Sequence, residues 1–154
     1  MNMVLALALS VGVLVAVFVK LGAMLSMLWY VGVIGWACFM AAGGKMSGLK
    51  RAAVGGLAGM FWVAVAEMTS LFSGQMQMEW VFLAIAFVFI VLQSKVSLLS
   101  FIPAGMAGGA VIGAGGPIGI FDAVTNMRLA IVFVLGTVIG YVAELAAGML
   151  AKKA

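Results

Sequence analysis

The sequence predicts an all-α integral membrane protein of about six transmembrane helices, and three observations predict it. Of 154 residues, 67% are hydrophobic and only 8% are charged, whereas a soluble domain carries about 45–50% apolar and about 25% charged residues. The apolar residues fall in six stretches separated by short polar or glycine-rich breaks. The last three stretches then repeat the landmarks of the first three in order. Lys20 matches Lys95, Trp29 matches Phe101, Gly43-Gly44 matches Gly115-Gly116, and Gly59 with Ala66-Glu67 matches Gly136 with Ala143-Glu144. Three is an odd number of spans, so a second copy must enter the membrane from the opposite side, which predicts a 3+3 inverted repeat. The whole chain, 1–154, is then one transmembrane domain, with repeat one at about 1–72 and repeat two at about 78–150.

The apolar runs predict helices at about 3–20, 25–42, 51–69, 79–95, 97–114 and 128–150. The first follows Met1-Asn2-Met3, which lacks the basic segment and small-residue cleavage site of a signal peptide, and is read as a span. The second carries the single cysteine, Cys38, as a small packing residue without a disulfide partner. The third and sixth each bear a glutamate late in the run. The fourth has Trp80 at its start. The fifth contains Pro103, Gly105, Gly108, Gly109 and Gly113, so a kinked or partly unwound segment is expected, which a bilayer tolerates only where backbone faces protein or a watery cavity. Residues 114–127 are apolar enough around Ile118, Ile120 and Phe121 to re-enter the bilayer.

Composition also excludes function classes. With no histidine in the chain, histidine-based acid/base catalysis, metal ligation and proton relay are all absent. No nucleophile and base pair is recognisable, so no enzyme activity, catalytic residue, metal or cofactor is expected. Ala114-Gly-Gly-Pro-Ile-Gly119 lacks the Gly-Lys-Ser/Thr ending of a phosphate loop. Met76 and Met78 could offer thioethers to Cu(I), but among 13 methionines they read as apolar filling. The net charge of +4 is spread over span ends rather than gathered in a block, so it signals topology and not nucleic acid. With the N-terminus in the cytoplasm, Lys45, Lys50, Arg51, Lys95, Lys152 and Lys153 share the cytoplasmic side and only Lys20 and Arg128 lie outside. Both termini are therefore expected to be cytoplasmic, with Trp29 and Trp80 in the outer aromatic belt.

Glu67 and Glu144 are the first candidates for a pore or substrate site, because an ionisable side chain inside an apolar span is costly unless it faces a cavity, finds a partner or reaches the interface. Symmetric carboxylates at two mouths would suit cations or N–H donors. Pro103, Gly105, Gly109, Trp36 and Phe101 complete the pore candidates, as parts of the irregular fifth segment and its repeat-related aromatics. Gly55 and Gly59, and Gly136 and Gly140, place two glycines one turn apart and are assigned to helix packing; the pair at 105/109 has the same spacing, and the pair at 115/119 is expected in a loop.

Leu98-Leu-Ser-Phe-Ile-Pro103 followed by the Gly/Ala run, together with Trp36 to Gly44 and Leu135 to Tyr141, resembles the YcdZ-like family of small bacterial inner-membrane proteins. The resemblance implies a bacterial plasma-membrane location and a compact bundle of several spans. That family has no assigned function and implies no substrate. The residues themselves lead to a channel or facilitator for a small polar solute, urea or amide, ammonium or guanidinium-like, conducting passively. It is expected as a homo-oligomer in the lipid bilayer. The alternative is a non-transporting scaffold or accessory subunit that docks partner proteins through outward Gly-rich helix faces.

Overall fold

The structure, a computed structural model, describes residues 2–72, 78–114 and 123–152. Among these residues it is entirely helical, with α1 Met3–Met24, α2 Trp29–Ala41, α3 Lys45–Phe72, α4 Met78–Lys95, α5 Ile102–Gly113 and α6 Ala123–Lys152. Three of them, α1, α3 and α6, are long and apolar enough to cross a membrane. Among the described residues six helices are present as expected, but the expected bounds of the second and fifth, 25–42 and 97–114, need correction to 13 and 12 residues. At about 1.5 Å per residue each is about 20 Å long or less, short of the ~30 Å hydrocarbon core.

Local chemistry explains the shortening. Beyond α1 the chain turns through Ser26 at φ +50°, with Met27 N–H donating to Gly22 O at 2.8 Å and Ser26 N–H to Ala23 O at 3.3 Å. Those are the two bonds of a left-handed helix cap, made here by serine where glycine is usual, and they delay α2 until Trp29. The second helix ends the same way on Gly43 at φ +90° and Gly44 at φ +67°, with Gly44 N–H reaching Phe39 O and Gly43 N–H reaching Met40 O. Between α4 and α5, turn bonds such as Leu99 N–H to Val96 O take up residues that were expected to be helical. Pro103 sits in the first turn of α5, where its missing N–H costs no intrahelical bond. The fifth helix is therefore continuous, and the expected kink is not seen. In the other direction, α3 begins six residues earlier than its apolar run, at Lys45, and α6 begins at Ala123.

The helices meet through glycine. A Cβ on Gly59 would collide with the carbonyl oxygen of Gly105, and one on Gly108 with that of Gly56. On the other side of the molecule, a Cβ on Gly136 would collide with Gly32 O, and one on Gly35 with Phe133 O. Hence α3 packs backbone to backbone on α5, and α2 does the same on α6. Contacts along each pair advance together: Gly55 with Phe101 and Ala104, Val63 with Gly109, and Glu67 with Gly113. In the second pair Gly32 meets Val132 and Trp36 meets Gly140. Both pairs are thus parallel, as helices an even number apart must be when successive helices run in alternating directions. Exchanging residues 32 and 35 for 105 and 108, and 133 and 136 for 56 and 59, converts one set of contacts into the other.

Where the halves join, the Phe133 ring covers Gly56 and the residue is fully buried. Phe39, Val31, Trp36, Ala104 and Ala143 complete the core around it. Cys38 is buried and free. The pairing of Gly43-Gly44 with Gly115-Gly116, the 115/119 glycines, Met76, most of the re-entrant segment and Lys153 fall outside the described residues, as do the side chains of Met78 and Lys152.

Gly59→Ala and Gly136→Ala should each lower stability by about 1–3 kcal/mol, because the methyl group must displace a neighbouring backbone. Gly12→Ala and Gly148→Ala, where nothing lies within 4 Å, should be neutral or stabilising by up to about 1 kcal/mol through helix propensity. Thermal unfolding of the purified variants in detergent micelles measures the contrast.

Candidate functional site

Among the described residues four polar side chains are buried, and two of them satisfy themselves. Ser10 Oγ donates to Ala6 O and Thr137 Oγ1 to Val134 O, each within its own helix. Glu67 and Gln93 differ. Glu67 is 2% exposed and Gln93 only 1%, yet Glu67 Oε2 and both amide atoms of Gln93 have no hydrogen-bond partner. A buried polar group left unpaired costs about 1–3 kcal/mol, and more in hydrocarbon, where no water can reach it.

Both side chains lie against α5, towards opposite ends of it. The Gln93 amide packs on Gly105, where a Cβ would approach both of its terminal atoms to 3.1 Å. Glu67 Oε1 lies 3.6 Å from the Cβ position of Gly113. Eight residues separate Gly105 from Gly113, about 12 Å along the helix axis. Between α3, α4 and α5 runs a cleft of about 220 Å³, bounded by Gly59, Trp62, Val63, Phe89, Gly105 and Gly109 among others. The Trp62 and Phe89 rings, 5.8 Å apart, form part of its wall. Glycines at 59, 105 and 109 make the space possible, since a side chain on any of them would meet α5 backbone, the Gln93 amide or Val63.

The corresponding place between α6, α1 and α2 is filled. The Phe18 ring covers Gly32, and the Trp36 and Phe39 rings cover Gly140. Trp36 is thus a core residue of the other half, away from the cleft. Phe101 is half-buried, with its carbonyl over Gly55, and Pro103 is exposed. Gly55 and Gly59 pack on α5, while Gly136 and Gly140 pack on α2. The structure therefore brings Gly105 and Gly109 to the cleft, with Glu67 beside the far end of α5, and keeps Trp36 and Glu144 elsewhere.

Glu144 has a partner. Its Oε2 accepts the backbone N–H of Lys45 at 2.6 Å, so the carboxylate closes the N-terminus of α3, where the helix dipole favours negative charge. Gly44 admits it, because a Cβ there would stand 2.8 Å from Oε2. The two glutamates, each following Ala late in a long helix, thus have unlike surroundings. Gln93 escaped sequence reasoning because, beside Ser94 and Lys95, it reads as the polar end of a span. Its signal is the spacing of four residues from Phe89, which puts both side chains on the face that meets Gly105.

Replacing an unsatisfied buried amide with an apolar group of similar size removes its desolvation cost. Gln93→Leu should therefore hold or raise the melting temperature, while Glu144→Ala, which strips the α3 cap, should cost about 1–2 kcal/mol. Thermal unfolding of both variants beside the parent protein checks the opposite signs.

No curated protein and no solved structure matches the chain. Residues 8–148 match the family described as protein of unknown function (DUF1097). That match spans most of the sequence, and the chain belongs to the DUF1097 family.

Proposed function

We propose that this membrane protein is a channel or facilitator for a small polar solute rich in N–H donors, of the urea or amide, ammonium or guanidinium kind. The route runs along the α3–α4–α5 cleft. The observation that carries this reading is the pair of buried, unpartnered side chains: the Glu67 carboxylate and the Gln93 amide. A carboxylate oxygen and an amide oxygen accept hydrogen bonds, and such solutes donate them. Passing from one acceptor to the other would repay the desolvation that each group now bears alone. Conduction is passive in this account, since the reading needs no moving domain. The distribution of basic residues supports cytoplasmic termini, and the resemblance to the YcdZ-like proteins implies the inner membrane of a bacterium. The exchangeable contacts of α2 on α6 and of α3 on α5 support an inverted repeat.

Homo-oligomers fit the same reading. The cleft is bounded on one side by Met106, 67% exposed, and Ile90, 41% exposed, so a second copy against this face would seal it from lipid. The scaffold alternative needs outward glycine faces. Those at 55, 56, 59, 105 and 108, and at 32, 35, 136 and 140, are consumed between helices of the same chain.

Flux of urea, ammonium, methylammonium, guanidinium, formate, glycerol and water into proteoliposomes tests the proposal. At least one N–H-bearing solute should cross faster than in empty liposomes. That flux should fall by about ten-fold or more in Glu67→Gln or Gln93→Leu, the loss expected for a hydrogen bond to a charged or buried group, while Glu144→Gln keeps it. Folded protein that conducts none of these solutes would end the channel reading.

A further inference from the structure

A second groove lies elsewhere, between the α1–α2 turn and the start of α6. It measures about 590 Å³ and is bounded by Leu25, Ser26, Leu28, Arg128, Ile131 and Val132 among others, within the range of about 300–1,000 Å³ common for small-molecule sites. Arg128 also lines a smaller hollow of about 290 Å³, with Val124, Met127 and Ile131. The guanidinium therefore stands between two apolar recesses. Among the described residues Arg128 makes no ion pair.

We infer that this groove binds the phosphodiester headgroup of an anionic phospholipid, with Arg128 as the principal contact. A planar guanidinium can give two parallel N–H bonds to phosphate oxygens. The walls decide between a lipid and a soluble anion. Leu25, Leu28, Met127 and Ile131 are between 44% and 65% exposed, a surface that suits acyl chains and would strip water from a free anion without compensation. Arg128 also decides between anionic and zwitterionic lipid. A choline or ethanolamine headgroup brings its own positive charge against it, whereas phosphatidylglycerol brings none. Basic pockets between membrane helices are a known way of holding acidic headgroups. This inference is independent of solute conduction, because it uses neither the cleft nor its residues.

Lipid retention by native mass spectrometry of the purified protein, together with melting temperature in detergent, tests it. Phosphatidylglycerol should be retained at least about five-fold better than phosphatidylcholine, the preference that one well-placed cation supplies, and should raise the melting temperature. Arg128→Gln should abolish the preference, Arg128→Lys should keep part of it, and Lys50→Gln, on an exposed cation of α3, should leave it intact. Equal retention of both lipids by the parent protein would overturn the proposal, whatever the fate of the variants. A preference that survives in folded Arg128→Gln would overturn it too, as would inorganic phosphate raising the melting temperature as much as phosphatidylglycerol does.

Discussion

Contact between helix backbones is the constraint on which the rest of this structure depends. In a bilayer no hydrophobic force draws one apolar helix to another, so association rests on close packing and on the few polar bonds available. Here the two closest approaches, Gly59 on Gly105 and Gly136 on Gly32, leave no room for a methyl group. They explain how α2 and α5, with 13 and 12 residues, hold their places between α3 and α6, of 28 and 30 residues. A short helix packed at this distance buries most of one face along its whole length.

The same constraint leaves the two helix pairs free to differ. Glycine contact sets the spacing of the helices, and the side chains nearby decide whether the remaining space is filled. In one half aromatic rings fill it, Phe18 over Gly32 and Trp36 with Phe39 over Gly140. In the other, the Phe89 ring and the Gln93 amide lie over Gly105, and Val63 with Gly59 O lies over Gly109, yet a cleft persists between α3, α4 and α5. The glutamates diverge in step. Glu144 is bound to the start of α3, while Glu67 retains a buried oxygen without a partner. The two sets of glycine contacts thus end in different surroundings for the two glutamates.

Much of this was legible in the sequence, and the failures have physical causes. The long apolar runs of α1, α3 and α6 mark helices directly, and the spacing of Gly55 with Gly59 and of Gly136 with Gly140 marks the faces that meet. The starts of α3 and α6 were less legible, because a hydropathy pattern reports the hydrocarbon and not the helix, which continues beyond it through Lys45, Lys50 and Arg51. The lengths of α2 and α5 were hidden as well. Leu25 to Leu28 and Val96 to Phe101 are apolar enough for a span, yet a serine in the left-handed region and a run of turn bonds stop them. Glu67 stood out as a carboxylate in an apolar run, whereas Glu144 shares that pattern and differs only through a backbone N–H distant in sequence.

The account stands on the chain crossing the bilayer in alternating directions, short helices included. Between Ser26 and Ser97 lie α2, α3 and α4, three crossings if each helix traverses. Single cysteines placed at Ser26 and Ser97, in a Cys38→Ala background, can be labelled with a membrane-impermeant maleimide in intact and in opened cells. Opposite sides, with Ser26 outside and Ser97 inside, is the predicted result. Both on one side would contradict the account, because α2 would then dip into the membrane and return, and the two halves could not be inverted copies.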